Sequence, residues 1–198
     1  MTRTLDPAPA LELVRAVLLT RPHAVVLIDG RSGSGKSTFA DALAADAASL
    51  RLEDVYPGWD GLEAASSALA RLLGARGAGA SVPLRGWDWT ADAPGGRLAV
   101  PPAGPLVVEG CGALSRRAAR SADLRVWVEL PEPERRARAL ARDGAVYAPH
   151  WDRWARQERA FIAREDPRGA ADLVVDGRRF PQPLFSERTG NAHYPRRP

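Results

Sequence analysis

The sequence lacks several features whose absence excludes whole classes of protein. Cysteine occurs once in 198 residues, at Cys111, so an intrachain disulfide is excluded. No apolar run approaches the roughly 20 residues of a membrane-spanning helix. The N-terminus shows no basic segment followed by an apolar core, as a secretory signal would have. We therefore expect a cytoplasmic protein without a membrane span, in which Cys111 is a small buried residue rather than a nucleophile.

The chain also lacks a strong excess of either charge. Its 28 lysines and arginines are set against 24 aspartates and glutamates, for a net charge of +4. The densest arginine groups, at 135–142 and 196–197, are short, and the arginines of the chain are otherwise interleaved with acids. Such groups suit a phosphate-binding helix or a solvated helix as well as a nucleic-acid surface. Charge alone does not choose among them.

Lysine is nearly absent, and the single exception is informative. Lys36 is the only lysine, and it lies in Gly30–Ser37, which matches the P-loop pattern G-x-x-x-x-G-K-[ST]. The apolar run 24–28 before it predicts a buried strand, and 39–45 after it predicts a helix. This context creates a nest of backbone N–H groups that suits phosphate. A compact ammonium also reaches between the β- and γ-phosphates where a planar guanidinium fits poorly.

The sequence therefore predicts a site for a nucleoside triphosphate. The residues predicted to contact it are Gly30, Arg31, Ser32, Gly33, Ser34, Gly35, Lys36, Ser37 and Thr38. In phosphoryl transfer the hydroxyl at the position of Ser37 ligates Mg²⁺. We thus expect ATP and Mg²⁺ as cofactors.

Apolar strand segments alternate with helical segments along the chain, and no internal repeat is present. Strands are predicted at 24–28, 49–52, 105–110, 124–130 and 171–175, and the principal helices at 10–20, 36–48, 62–73, 132–142 and 151–165. This order is typical of a doubly wound, three-layer α/β sandwich with a five-stranded parallel sheet, which binds ligands at the carboxyl ends of its strands.

The predicted domain covers 1–177. Residues 1–9 are expected to form a loose lead-in, about 54–100 a substrate-side insertion, and about 138–152 a lid with a loop at 144–149. No structure is assigned to the Pro- and Arg-rich tail at 178–198.

Two acids follow predicted strands at the edge that carries the P-loop. Asp54 ends a short strand and is our candidate for the general base, although an acid that caps a turn is the alternative. Glu109 follows Leu106-Val107-Val108, the position of a Walker B acid, and is predicted to contact the metal together with Ser37. The alternative for Glu109 is a solvated acid at a strand end.

Aromatic residues mark two segments without regular structure. Tyr56 and Trp59 lie in one, and Trp87-Asp88-Trp89 forms the other. Aromatic faces stack on planar groups, so we predict that Tyr56, Trp87 and Trp89 bind the substrate, with Asp88 accepting hydrogen bonds from it. The alternative is that the rings only cover the core.

Arginines on the predicted lid helix form another candidate group. Arg138 and Arg142 are four residues apart and share a helix face with Arg135. We predict that Arg138 contacts the substrate and that Arg142 neutralises charge on the transferred phosphoryl group. The alternative is an exposed basic helix paired with Glu132 and Glu134.

The order of these motifs resembles the uridine kinase-like group of P-loop kinases over roughly residues 24 to 177. The elements that carry the resemblance are the P-loop, Glu53-Asp54-Val55-Tyr56, Trp87-Asp88-Trp89, Glu109-Gly110, Arg142-Asp143 and Ala171-Asp172-Leu173-Val174-Val175. The resemblance implies ATP·Mg²⁺ as donor, Lys36, Asp54 and Arg142 as catalytic residues, and a small-molecule hydroxyl as acceptor. The chain departs from the family in three ways: the segment between the P-loop helix and Glu109 is short, tryptophan replaces the usual aromatic residues, and the lid is reduced. The resemblance therefore does not identify the acceptor molecule.

Four functions remain after this reasoning. The first is a small-molecule kinase, a monomer or homodimer with no nucleic-acid partner. The second is a nucleoside monophosphate kinase, which would rely on Arg85, Arg116 and Arg117 to clamp the acceptor phosphate instead of on a base. The third is an ATP-binding switch with little turnover, and the fourth is a nucleic-acid kinase with steeply salt-dependent binding.

Overall fold

The computed structural model describes residues 4–80 and 82–180. Eight strands are present in these ranges: β1 (Thr4–Leu5), β2 (Val25–Asp29), β3 (Ala48–Arg51), β4 (Leu84–Asp88), β5 (Ala93–Leu98), β6 (Leu106–Glu109), β7 (Leu124–Glu129) and β8 (Leu173–Asp176). The helices are α1 (Pro7–Thr20), α2 (Lys36–Asp41), α3 (Leu62–Gly77), α4 (Arg116–Ala119), α5 (Glu132–Tyr147), α6 (Trp151–Glu165) and α7 (Pro167–Ala170). Short 3₁₀ turns lie at Leu52–Asp54, Gly58–Asp60, Ala148–His150 and Gly177–Arg179.

Six strands form one parallel sheet in the order β1-β8-β7-β2-β6-β3. The P-loop strand β2 is central, and all five of its residues are buried. Its side chains alternate between two cores: Val25 and Leu27 face the core that contains α3 and α6, whereas Val26 and Ile28 face the core that contains α1 and α2. A sheet covered by helices on both faces explains why the strands are continuous apolar runs.

The predicted fold class is confirmed, but the sheet has six strands rather than five. The additional strand is β1, whose Thr4 and Leu5 pair with Val174 and Val175 of β8. The expected loose lead-in at 1–9 was therefore wrong for its described part, since Pro7 also begins α1. Two residues that pair along a sheet edge have no periodicity that sequence reasoning could detect.

Three helix boundaries also differ from prediction. Helix α2 ends at Asp41 instead of near Ala48, and α3 continues to Gly77. Helix α5 continues to Tyr147 through a kink at Gly144, where φ is 52° and ψ is −132°, although a loop was predicted there. This conformation is not helical, and glycine adopts it without a steric penalty, so the chain kinks at Gly144 between two helical segments.

The predicted insertion contains an antiparallel hairpin of β4 and β5, separate from the main sheet. Past β8, Phe180 is buried and packs edge-on against Phe39, with ring centroids 5.9 Å apart. The beginning of the tail is thus part of the core, whereas 181–198 lies outside the described residues. Within the described ranges, no helix has both the length and the apolar character that a membrane crossing requires.

Candidate active site

The P-loop connects β2 to α2 at the carboxyl edge of the sheet, and its glycines allow close contact with neighbouring elements. A Cβ atom on Gly30 would lie 2.4 Å from the Val128 carbonyl oxygen, and one on Gly33 would lie 2.2 Å from the Arg135 carbonyl oxygen. Gly33 has φ of 80° and Gly35 of 105°, which L side chains rarely adopt. These positions therefore need glycine for both backbone shape and space.

Lys36 is buried at the start of α2, with its Nζ 3.2 Å from the carbonyl oxygen of Arg31, to which it donates a hydrogen bond. Burial alone would lower the pKa of Lys36, but Cys111, Glu109 and Glu158 nearby raise it overall. The ammonium is therefore retained in a buried position at the loop. Burial raises the pKa of the Cys111 thiol to about 12, so this residue stays neutral, as expected for a small buried residue.

The structure brings together the two residues predicted to hold the metal. The Ser37 hydroxyl donates a hydrogen bond of 3.0 Å to Glu109 Oε1, and Glu109 is buried at the end of β6. Burial raises the pKa of Glu109, against the opposing effects of Lys36 and Ser37. In the described part of the chain, no three His, Cys, Asp or Glu side chains could together hold an ion. A Mg²⁺ ion shared between one hydroxyl, one carboxylate and substrate phosphates fits such a sparse ligand set.

Asp29 is a buried acid that sequence reasoning missed. Its Oδ1 accepts hydrogen bonds from the backbone N–H of Gly30 and Gly112, at 2.6 and 3.1 Å, and its Oδ2 accepts one from Leu114 at 2.8 Å. Burial raises its pKa to about 6, against the opposing effect of these N–H groups. Asp29 thus ties the start of the P-loop to the loop after β6. The sequence signal that could have identified Asp29 is its position as an acid at the end of an otherwise apolar strand.

Glu158 on α6 is the second residue that was missed, and it contacts the P-loop directly. Its Oε1 accepts a hydrogen bond from the Ser32 backbone N–H at 2.6 Å, and its Oε2 accepts one from Arg31 Nε at 2.9 Å. Arg31 also contacts Glu132 on α5, with Nη1 3.3 Å from Oε2. The P-loop is therefore held from α5 and from α6. Nothing in the local sequence distinguishes Glu158 from the other acids of that amphipathic helix.

Two polar atoms of the P-loop are buried and unsatisfied. Arg31 Nη2 and Ser34 Oγ have no hydrogen-bond partner among residues 4–80 and 82–180. Buried donors without partners are rare because each costs free energy. Neither residue lines the cleft above the loop, where Ser32, Gly33, Lys36 and Ser37 present donors suited to a phosphate chain. These four residues fit ATP.

A cleft of about 560 Å³, partly open to solvent, lies above the loop. Its floor includes Ser32, Gly33, Lys36, Ser37, Glu109 and Gly110. Glu53 lines the cleft, but its neighbour Asp54 does not. Asp54 is the last residue of the 3₁₀ turn Leu52–Asp54. Its carbonyl oxygen faces β4, 3.4 Å from the position that a Cβ atom on Gly86 would occupy. The turn thus presents the adjacent acid to the cleft rather than the one predicted from sequence.

The aromatic wall of the cleft consists of Tyr56, Trp59, Trp89, Tyr147 and Trp154. Tyr56 donates a hydrogen bond of 2.9 Å to the Cys111 carbonyl, and Trp89 Nε1 donates one of 2.9 Å to the Glu53 carbonyl. The second bond fixes the backbone of the residue that carries the cleft acid. Tyr56 and Trp89, two of the residues predicted to bind the substrate, both line the cleft.

Trp87 and Asp88 do not reach this cleft. The Asp88 carboxylate accepts hydrogen bonds from the Thr90 and Ala91 N–H groups, at 2.9 and 3.0 Å, and so caps the hairpin turn. Trp87 lines a different cavity. The three residues of the Trp87-Asp88-Trp89 element therefore have different environments: Trp87 lines the other cavity, Asp88 caps the hairpin turn, and Trp89 lines the cleft. They separate because the hairpin turn begins within the element.

The arginines of α5 have different environments. Arg142 lines the cleft and forms an ion pair with Asp143, with Nη2 2.7 Å from Oδ2. Arg138 donates a 2.7 Å hydrogen bond to the Gly177 carbonyl and does not line the cleft. Arg135 is buried and donates bonds of 3.0 Å to the Leu130 and Ser32 carbonyls. Of these three, only Arg142 is placed to meet a ligand in the cleft.

Known structures share this fold. No protein family and no curated protein matches the sequence. The chain is similar to the structure of a possible uridine kinase from Bacillus stearothermophilus, with 18% identity, a TM-score of 0.56, and coverage of 85% of this chain and 98% of that one. It is also similar to a candidate fructose transport system kinase from Silicibacter sp. TM1040, with 20% identity, a TM-score of 0.53, and coverage of 86% and 98%. The chain therefore shares the fold of these two structures.

Proposed function

We propose that the protein is a small-molecule kinase that transfers the γ-phosphoryl group of ATP to a hydroxyl of its acceptor. One observation carries this proposal: Lys36, the Ser37–Glu109 pair and the separate acid Glu53 all line a single cleft. Phosphoryl transfer needs phosphate-binding groups, a metal site and a group that orients the attacking hydroxyl. The similarity in fold to two proteins described as kinases supports the same activity.

The roles follow from position and charge. The P-loop N–H groups and Lys36 bind the phosphates, and Ser37 and Glu109 hold Mg²⁺, which neutralises charge on them when bound. Arg142 stabilises negative charge on the transferred group from the opposite wall. We assign the general base to Glu53 instead of Asp54, because Glu53 lines the cleft and Asp54 does not.

The acceptor side is enclosed by aromatic rings. Trp59 stacks on His150 at 4.2 Å and on Tyr147 at 5.4 Å, with interplanar angles of 9° and 13°. Trp89 meets Trp59 edge-on at 5.1 Å. These contacts order the rings before any ligand binds, which favours a compact acceptor that packs against a preformed wall.

A nucleoside monophosphate kinase is the less favoured alternative. Its acceptor phosphate would need arginines, yet Arg85, Arg116 and Arg117 do not line the cleft. An ATP-binding switch would need neither an acid nor an aromatic wall opposite the P-loop. A screen of hydroxyl-bearing compounds for ADP release with ATP and Mg²⁺ tests the proposal. ATP binding without any acceptor-dependent turnover would favour the switch.

A further inference from the structure

A second cavity of about 330 Å³, partly open to solvent, lies between α3 and the β4–β5 hairpin. It shares no lining residue with the P-loop cleft. Its apolar walls come from α3, from the segment after the Leu52–Asp54 turn and from the hairpin, through Ala64, Ala68, Pro57, Val55, Leu84 and Pro94. Cavities of a few hundred Å³ with mainly apolar walls are the usual form of small-molecule sites. We call this cavity the hairpin groove.

The charged residues of the hairpin groove are all of one sign. Arg71 of α3 and Arg85 of β4 line it, and no Asp or Glu does. Within residues 4–80 and 82–180, neither arginine makes an ion pair, whereas twelve other arginines do. The groove therefore presents positive charge that the described protein does not neutralise.

The pairing register of β4 with β5 brings a further positive charge close to Arg85. Arg85 lies directly opposite Arg97 in the antiparallel pairing of β4 with β5. Residues directly opposite each other project from the same face of a hairpin, and like charges there are destabilising. Arg97 also makes no ion pair within the described ranges. An anion between the two guanidinium groups would remove this repulsion.

The groove also contains an unsatisfied donor. The ring of Trp87 lines it, and Trp87 Nε1 is buried without a hydrogen-bond partner in the described part of the chain. A buried indole N–H normally has a partner. An acceptor oxygen of a ligand would supply one.

We propose that the hairpin groove binds a small organic anion with an apolar body. The anionic group lies beside Arg71 and Arg85, which line the groove, with Arg97 opposite Arg85 in the hairpin. The apolar body packs against Ala64, Ala68 and Pro57. Carboxylates and phosphate monoesters share this chemistry, because arginine forks pair with the oxygens of both. The C-terminal residues 181–198 do not suit the groove, since they carry three arginines and one glutamate.

Isothermal titration of the full chain with octanoate and with octyl phosphate tests this proposal, and the tighter binder identifies the preferred anion. Octan-1-ol and octylammonium are the uncharged and cationic controls. We expect both anions to bind, and Arg71→Ala and Arg85→Ala each to weaken their binding by about tenfold or more, since each variant removes a charge-assisted hydrogen bond. Ala68→Phe should weaken them by filling the groove, and saturating ATP should not displace them.

Arg120→Ala, an exposed arginine on another element, is the matched control and should bind as the unmodified chain does. Melting temperatures establish that each variant is folded. The proposal is overturned if octylammonium binds as tightly as the anions, if ATP displaces them, or if Arg120→Ala weakens binding as much as Arg85→Ala.

Discussion

Glu158 lies beneath the P-loop, with one carboxylate oxygen 2.6 Å from the backbone nitrogen of Ser32 and the other 2.9 Å from Arg31 Nε. The side chain of Glu158 is 3% exposed and that of Arg31 is 18% exposed, so solvent screens this ion pair little. The distance along the chain is 126 residues. Helix α6 therefore holds the P-loop in position through Glu158.

Glu158→Gln is expected to lower both stability and ATP affinity. The amide keeps one acceptor oxygen but directs an NH₂ group at either Ser32 N–H or Arg31, so a buried donor loses its partner. Disrupting a buried ion pair typically costs about 3–5 kcal/mol. Urea unfolding and titration with a non-hydrolysable ATP analogue measure the two effects.

Asp152→Asn, at an exposed site on the same helix, is the control for Glu158→Gln. If the two variants bind the nucleotide equally well, Glu158 does not position the P-loop.

Gly33→Ala is expected to abolish nucleotide binding. The new Cβ would lie 2.2 Å from the Arg135 carbonyl oxygen, and φ of 80° is strained for alanine, so the loop would have to move away from α5. The melting-temperature increase caused by ATP measures binding. Gly77→Ala at the end of α3, with no atom within 4 Å of its Cβ, is the control and should retain the full increase. A normal ATP response from Gly33→Ala would contradict this account.

Asp29 makes a specific prediction about pH. Burial raises its pKa from 3.8 to about 6, so the folded protein binds this proton more tightly than the unfolded chain does. Its stabilising contribution is complete below about pH 4 and is lost as pH rises through about 6. The full effect is about 3 kcal/mol of unfolding free energy, from roughly two pKa units.

The measurement is the difference in unfolding free energy between the unmodified chain and Asp29→Asn, followed by urea titration from pH 4 to 7.5. We expect the unmodified chain to lose its advantage as the pH rises. A difference that is constant across this range would mean that Asp29 ionises as readily in the folded protein as in the unfolded chain.

Glu53→Gln and Asp54→Asn distinguish the two candidate bases. Loss of a general base typically costs 10²–10⁴-fold in rate, and we expect about this loss in kcat for Glu53→Gln with an acceptor found by the screen. ATP affinity should change little, because the P-loop is intact. Asp54→Asn should retain most of its turnover. The reverse result would restore the base predicted from the sequence.

Much of the part of the cleft assigned to the phosphate donor could be predicted from the sequence, because the sequence patterns that indicate it are local. The P-loop is a contiguous pattern, β2 is a continuous apolar run, and Glu109 is the last residue of the apolar strand β6. The fold class follows from the alternation of strands and helices. In each case neighbouring residues in the chain are also neighbours in the site.

The part of the cleft assigned to the phosphoryl acceptor depends on contacts between segments that are distant in the chain. Whether Glu53 or Asp54 meets the cleft depends on a 3₁₀ turn, and a shift of one residue in such a turn redirects a side chain by about a third of a revolution. Asp88 was assigned to the substrate but caps a hairpin turn, and Arg138 was assigned to it but binds the Gly177 carbonyl. A polar residue on its own does not specify which partner it meets.

The sequence by itself determined the parallel α/β sheet, the P-loop between β2 and α2, and the placement of Ser37 and Glu109 at the same edge of the sheet. Each rests on propensity, periodicity and the rule that parallel strands bind ligands at their carboxyl ends. Only the tertiary structure decided that Asp29 and Glu158 hold the P-loop, that Glu53 faces the cleft, and that unpaired arginines border a second groove. The physical reason is that burial and pairing depend on which segments meet, and segments that are distant in the chain leave no local pattern that records their contact.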